Sequence, residues 1–211
     1  SSGGTGVSLS NTAGISTSGG AIVIQATNSA VSINASSIGS NGGNITITGG
    51  GPSLQFNDGV AIIGGSSVHA GTGDVNISGE SQSGRGFKLD SSGPALTVSG
   101  ANVTITGTTS LGSGYNAVDI NAEVVSGSSS VTINAVNGNL SLSSGSTISA
   151  GSAGMSLSAT GLGAGVYIDS SMLTTSGGAA SISADSGQVS IGYSTISTSG
   201  GNISVQAGQS L

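Results

Sequence analysis

The chain contains an internal repeat, which restricts its possible folds more than any other feature. Residues 19 to 49 align without a gap with residues 177 to 207, and 14 of the 31 aligned positions are identical. The identical positions include spaced aliphatic residues and two pairs of adjacent glycines. A sequence that repeats in this way indicates a stack of similar structural units.

Each unit is predicted to consist of short strands. Pairs of apolar residues recur along the chain, as in Ile22/Ile24, Val31/Ile33 and Ile45/Ile47. The two members of a pair are separated by a single residue, usually Ser, Thr or Asn. Because side chains alternate between the faces of a strand, both apolar residues point to one side and the polar residue points to the other. Gly, Ser and Asn separate these stretches, and these residues tolerate sharp corners.

The spacing of the strands favours a solenoid over a hairpin meander. Apolar positions recur about 23 residues apart, as from Ile22 to Ile45 and from Val131 to Met155, and each interval holds two further apolar sites. Hairpins pair neighbouring strands through short turns, whereas like residues returning at this interval favour coil stacked on coil. We predict an all-β fold, a right-handed parallel β-helix of about nine coils of about 23 residues with three short strands per coil.

The solenoid is predicted to occupy residues 1–211 as a single segment. Neither end supplies an amphipathic cap, which solenoids normally need. We therefore expect the segment to belong to a longer stack, with flanking repeats or adjacent copies of the chain packed end to end. The first residues do not form a signal peptide and Ser1 is not an initiator Met, so we expect a processed form or a fragment.

Composition excludes several partners. The net charge is −6 and Arg85 and Lys88 are the only basic residues, whereas nucleic-acid binding requires clustered cations. No apolar run approaches the ~18 residues of a membrane span, so membrane insertion is not expected. The chain has no cysteine. This fits a bacterial protein exported through the periplasm in an unfolded state, where disulfides would be an obstacle.

Four phrases carry a family resemblance: GGNITITG, SSVTINA, GNLSLSSGSTISA and STISTSGGNISVQAG. They resemble the repeats of filamentous-haemagglutinin-type exoproteins, the two-partner secretion family that includes haemagglutinins, high-molecular-weight adhesins and contact-dependent inhibition effectors. The resemblance implies a right-handed β-helix and export through a dedicated outer-membrane pore. It also implies a secreted, bacterial cell-surface location and a role as an adhesin or as the stalk that presents one.

Catalysis is not expected. Polysaccharide lyases and hydrolases built on β-helices use converging carboxylates, often with basic partners. Here Asp119 and Asp169 both point outward, but they lie about two coils apart without a basic partner nearby in sequence, so each is interpreted as a solvated acid. His69 is the only histidine, and no nucleophile, phosphate-binding or zinc motif occurs. We predict no catalytic, cofactor-binding or metal-binding residues and no cofactor.

Residues 50–94 depart from the rhythm. The interval from Ile45 to Val75 is longer than that from Ile22 to Ile45, and this stretch contains both prolines, both phenylalanines and both basic residues. Longer coils push loops off a rigid rod, and loops on rigid scaffolds often bind ligands. The residues predicted to form a shallow patch for a cell-surface glycan or protein are Phe56, His69, Arg85, Phe87 and Lys88. The alternative is that the phenylalanines are core residues and that Arg85 and Lys88 are simply solvated.

Six asparagines occupy N-x-S/T sequences that the strand pattern turns outward: Asn34, Asn44, Asn76, Asn102, Asn139 and Asn202. They are interpreted either as corner and ladder residues or as glycosylation sites, which some adhesins of the resembled family carry.

Three functions from different classes are considered for this chain. The first is a non-catalytic structural or adhesive segment of a bacterial surface protein whose partner is a glycan or protein on a host or neighbouring cell. The alternatives are a self-assembling subunit of an extracellular filament and, with least support, a polysaccharide-active enzyme.

Overall fold

The computed structural model describes residues 4–51, 57–90, 96–110, 112, 114–121 and 124–208. All regular structure in these residues is β-strand. In chain order the strands are β1 (Thr5–Leu9), β2 (Gly14–Ser16), β3 (Ile22–Gln25), β4 (Ala30–Asn34), β5 (Ser37–Gly39), β6 (Ile45–Gly50), β7 (Val60–Ile63), β8 (Ser67–His69), β9 (Val75–Ser81), β10 (Phe87–Asp90), β11 (Thr97–Thr109), β12 (Asn116–Asn121), β13 (Val124–Val136), β14 (Asn139–Ser143), β15 (Thr147–Ala150), β16 (Gly154–Thr160), β17 (Val166–Asp169), β18 (Met172–Thr175), β19 (Ala180–Ala184), β20 (Val189–Gly192), β21 (Thr195–Thr198) and β22 (Ile203–Ala207). The described part of the chain contains no helix long and apolar enough to cross a membrane.

The strands stack in parallel on three faces. The first face has the order β1-β4-β7-β10-β12-β14-β17-β20. The second face runs β2-β5-β8-β11-β13-β15-β18-β21, and the third face runs β3-β6-β9-β11-β13-β16-β19-β22. β11 and β13 belong to both because each continues through the corner between the two faces. The all-β parallel solenoid with three strands per coil is confirmed, and its eight coils span roughly 34 Å.

The coil number differs from the predicted nine because several coils are longer than the predicted interval. Val31 pairs with Val60 and Phe87 pairs with Val118, and both separations exceed that of the paired residues Ile22 and Ile45. The extra residues lie in the connections from β6 to β7, from β9 to β10, from β10 to β11 and from β11 to β12. The first three fall in the predicted irregular stretch 50–94, and the fourth lies beyond it.

The core is a set of stacked aliphatic columns. In register, like residues lie above one another, as in Ile47, Ile77, Ile105 and Ile133 of the third face. The apolar pairs that the sequence pattern identifies are buried from Ile22/Ile24 to Val166/Ile168, most of them completely. The pairs of the last coil, in β20 and β22, are exceptions, because Ile191, Ile203 and Val205 are 40 to 49% exposed. No further coil covers these positions in the described chain.

The paired glycines of the internal repeat form the corner between the second and third faces. Gly42 and Gly200 have φ values of 126° and 110°, a backbone conformation that favours glycine. At Gly43, Gly178 and Gly201, each the second residue of its pair, the coils approach too closely for a side chain. A Cβ on Gly43 would lie 2.2 Å from the carbonyl oxygen of Gly20, one coil below. In these pairs the first glycine is therefore required for its φ and the second for its size.

Candidate functional site: a charged cluster and cleft on the first face

Charged side chains concentrate on the first face. The outward positions of β10 and β12 carry Lys88, Asp90 and Asp119, and the turns that lead into this face carry Asp58 and Arg85. These five residues, here called the charged cluster, include both basic residues of the chain. Their formal charges sum to −1. Among described residues, the outward positions of the second face carry no Asp, Glu, Lys or Arg, and those of the third face carry a single one, in β9.

Arg85 links three successive coils through its guanidinium group. Its Nε atom lies 2.6 Å from Oδ2 of Asp119, and Nη1 lies 3.7 Å from Oδ1 of Asp58. The side chain of Asp119 is 15% exposed, that of Asp58 is 20% exposed and that of Arg85 is 40% exposed. The interpretation of Asp119 as a solvated acid is therefore wrong. Arg85 precedes β10, the strand next to β12, and folding brings its guanidinium group into contact with the Asp119 carboxylate.

Lys88 and Asp90 form a second pair on the outward side of β10. The Lys88 ammonium lies 3.0 Å from Oδ2 of Asp90, and the Asn121 amide donates to Oδ1 of Asp90 at 2.9 Å. Burial raises the pKa of Asp90, but the hydrogen bonds from Lys88 and Asn121 and the positive charges of Lys88 and Arg85 together lower it below its usual value. The interpretation of Arg85 and Lys88 as simply solvated is thus incorrect, because both are ion-paired.

A cleft of about 290 Å³ opens beside Arg85. One wall is the turn from β9 to β10, with Ser83, Gly84 and Arg85, and the other is the turn into β12, with Gly114, Tyr115 and Asn116. Tyr115 is 44% exposed. The cleft therefore places an exposed aromatic ring and an amide side chain next to a guanidinium group fixed by carboxylates.

Both walls are held by hydrogen bonds to neighbouring coils. The Arg85 amide donates to Oδ1 of Asp58 at 3.0 Å, and the Arg85 carbonyl accepts from the Gly59 amide at 2.9 Å. On the other wall, the Tyr115 carbonyl accepts from the Asn139 amide at 2.9 Å. The cleft is thus positioned by the scaffold before any ligand arrives, which reduces the conformational entropy lost on binding.

The structure separates the five residues predicted to form the patch. Arg85 and Lys88 belong to the charged cluster. Phe87 is completely buried, so its ring cannot reach a ligand, and the core interpretation applies to it. His69 is exposed on the second face, where its Nδ1 lies 2.7 Å from Oγ of Ser99, and it does not join the charged cluster. Phe56 lies outside the described residues.

Sequence reasoning missed Asp119 as a partner of Arg85 and missed Tyr115 and Asn116 altogether. Two signals were available. Aligning the apolar pairs of β10 and β12 places Lys88 beside Asp119, which assembles charges on one face. In addition, aromatic residues make up 2% of the chain, so a tyrosine among glycines in GSGYNA stands out from the small-residue background.

The six N-x-S/T asparagines are all outside the core, but they differ in their contacts. Asn34, Asn44, Asn76 and Asn202 are exposed. Asn102 is half-buried in a polar ladder, where its amide donates to Asp74 at 2.8 Å and its carbonyl oxygen accepts from Ser130 at 2.8 Å. The carbonyl oxygen of Asn139 accepts from the Gly165 amide at 2.9 Å. The side-chain oxygen of Asn44 accepts from the Asp74 amide at 2.9 Å and so joins the same ladder. The ladder interpretation therefore describes Asn44, Asn102 and Asn139, and glycosylation stays a prediction for all six.

Within the described ranges, no group of three or more His, Cys, Asp or Glu side chains is arranged to hold a metal ion. The cluster does bring carboxylates and a basic residue together, the combination that was expected to be missing. Asp58 and Asp119 are each engaged by Arg85, so the arrangement presents a fixed guanidinium group flanked by two carboxylates.

Comparison with family models, with curated proteins and with solved structures found no match for this chain.

Proposed function

We propose that this chain is a non-catalytic, adhesive or structural β-solenoid segment of a secreted bacterial surface protein. In this role the rod is a rigid support, and the charged cluster with its cleft contacts a glycan or protein on a host or neighbouring cell. Export through an outer-membrane pore follows from the resemblance of the repeats to those of filamentous-haemagglutinin-type exoproteins.

The observation that carries the proposal is the asymmetry of the surface. The second and third faces display mainly Ser, Thr, Asn and Gly side chains, whereas the first face collects both basic residues and three carboxylates, with an exposed tyrosine in the cleft beside Arg85. A structural role alone requires only stacked coils, since the stability of a solenoid comes from its repeats and their interfaces. Locally concentrated charged and aromatic groups on a rigid scaffold are typical of a binding surface.

Attachment of fluorescently labelled protein to host epithelial cells and to bacterial cells tests the proposal. We expect saturable attachment to at least one cell type, and we expect the variant Arg85→Gln with Lys88→Met to lose most of it. Because this variant also removes ion pairs, its fold is checked by circular dichroism, and Ser156→Gln on the third face is the matched control. Unsaturable attachment, or equal attachment by the folded charge variant and the control, would contradict an adhesive role for this face.

A self-assembling filament subunit is the second candidate, and the last coil favours it. Ile191, Ile203 and Val205 are 40 to 49% exposed, although the equivalent positions one coil earlier are buried. β22 pairs with β19 and exposes its other edge, which is a template for another strand. A further coil from another copy would bury these side chains. Analytical ultracentrifugation tests this candidate, because end-to-end stacking requires association that increases with protein concentration.

A polysaccharide-active enzyme is the third candidate. The charged cluster offers carboxylates beside a basic residue, but Arg85 engages both Asp58 and Asp119. Incubation with polygalacturonate and other acidic polysaccharides, followed by measurement of new reducing ends and of absorbance from unsaturated products, tests it. We expect no turnover, and turnover that disappears in Asp119→Asn would establish the enzyme instead.

A further inference from the structure

We propose that the cleft between Arg85 and Tyr115 is a binding subsite for a neutral sugar. The inference rests on the proposed adhesive function and deepens it by naming the class of ligand. Four features of the cleft support it, namely its charge, its aromatic wall, its hydrogen-bonding groups and its size.

The charge of the cleft disfavours anionic ligands. Arg85 is the only basic residue that lines it, and Asp119 and Asp58 neutralise its guanidinium group at 2.6 Å and 3.7 Å. The cluster as a whole carries more carboxylates than cations, and the chain has a net charge of −6. A sialic acid or uronic acid would therefore approach a surface of its own sign, whereas a neutral sugar encounters no such repulsion.

The walls match the two kinds of surface that a sugar presents. The C–H face of a pyranose ring is apolar and packs against an aromatic ring, and Tyr115 is 44% exposed in the wall. Sugar hydroxyl groups require fixed donors and acceptors. The Asn116 amide supplies both, and the ion pair through Nε orients the remaining guanidinium donors of Arg85.

The size of the cleft favours a small ligand over a protein surface. Its volume of about 290 Å³ lies near the lower end of the range for small-molecule sites, roughly 300 Å³. A stable protein interface buries about 800 Å² on each partner, which a cleft lined by six residues does not offer. A terminal sugar of a glycan fits this scale.

A glycan array that contains neutral and acidic glycans, followed by saturation-transfer difference NMR with the best neutral disaccharide, tests the inference. We expect neutral glycans to be retained, with Tyr115→Ala weakening binding at least tenfold. Tyr115→Phe should retain binding because it keeps the ring, and Tyr193→Ala, which alters a 97% exposed tyrosine in the last coil, should match the wild type. Retention of acidic glycans alone, retention of none, or equal binding by Tyr115→Ala would overturn the subsite.

The two proposals fail in different ways. If the charge variant loses cell attachment but no neutral glycan binds, the adhesive surface stands and the neutral-sugar subsite is rejected. If a neutral glycan binds through Tyr115 but the protein attaches to no cell, the subsite stands and the adhesive function is rejected.

Discussion

Arg85 and Asp119 are distant in sequence and belong to successive coils, yet the Arg85 Nε atom is 2.6 Å from Oδ2 of Asp119. The pair connects the turn before β10 to the outward side of β12 in the next coil. This ion pair is the centre of the charged cluster. Its contribution to the free energy of unfolding therefore measures how strongly the Arg85 wall of the cleft is fixed to the rod.

A double-mutant cycle measures this contribution. We expect Arg85→Gln to lower the free energy of unfolding more than Asp119→Asn, because the first leaves a largely buried carboxylate unpaired and the second keeps a hydrogen-bond acceptor. The coupling energy should be about 0.5 to 1 kcal/mol, since Arg85 is partly exposed. Urea denaturation of the four proteins provides the values, and additive single changes would show that the pair is not coupled.

The second ion pair predicts a pH dependence. The pKa of Asp90 is lowered in the folded protein, so its carboxylate stabilises the fold above the unfolded Asp pKa of about 3.9. This contribution is lost as the pH falls through the lower pKa of the folded state. At pH 7 we expect Asp90→Asn to melt at a lower temperature than the wild type, with the difference shrinking toward pH 2. Lys88→Met should show the same convergence, and a gap independent of pH would contradict the assignment.

Adjacent residues of β13 point to opposite sides of the strand, one into the core and one out of the rod. Ile133 is completely buried and its neighbour Thr132 is half-buried on the outward side of the third face. Ile133→Asp should cost several kcal/mol because it places a carboxylate in an apolar column. The matched control Thr132→Asp should cost less than about 1 kcal/mol. Equal melting temperatures for the two variants would show that the strand alternates in the opposite sense.

Because the coils approach closely at some glycines and not at others, substitution by alanine should destabilise the protein only at the close positions. A Cβ at Gly73 would lie 2.2 Å from the Gly43 carbonyl oxygen, whereas one at Gly14 would meet only the Ser37 hydroxyl at 3.6 Å. Gly73→Ala should therefore destabilise the protein by about 1 to 3 kcal/mol because it forces the coils apart. Gly14→Ala should be neutral or slightly stabilising, because it removes freedom from the unfolded chain. Differential scanning calorimetry distinguishes the pair, and a tolerated Gly73→Ala would refute the requirement for close stacking.

The open surface of the last coil predicts self-association. The wild type should show sedimentation coefficients that rise with concentration, and Val205→Lys should abolish the rise by placing a charge on the exposed apolar surface. Gln206→Lys changes the adjacent residue, which points out of the third face, and should associate as the wild type does. If all three proteins remain monomeric, the exposed coil does not pair with copies of this chain.

Much of the fold was predictable because each coil of a parallel stack needs apolar residues and glycines at the same positions. The spacing of apolar pairs such as Ile45/Ile47 identified the strands, and the recurring glycines identified a corner. The coil number was overestimated because the interval of 23 residues was applied to the whole chain, although four connections are longer. Register alone places Lys88 beside Asp119, but the contact with Arg85 depends on the path of a turn. No periodic pattern specifies that path, so the sequence marks Tyr115 as unusual but does not place it beside Arg85.

We propose that the first face, and not the chemically uniform third face, makes contact with other cells. The chain lacks cysteine, so Ser141→Cys in β14 and Ser156→Cys in β16 each introduce a single thiol into the same coil, on the first and third faces respectively. Ser141 lies beside Asp119 in register. After coupling of each variant to a bulky polyethylene glycol maleimide, we predict that attachment to cells is lost for Ser141→Cys and retained for Ser156→Cys. Retained attachment with the first face blocked, or its loss only with the third face blocked, would contradict the account.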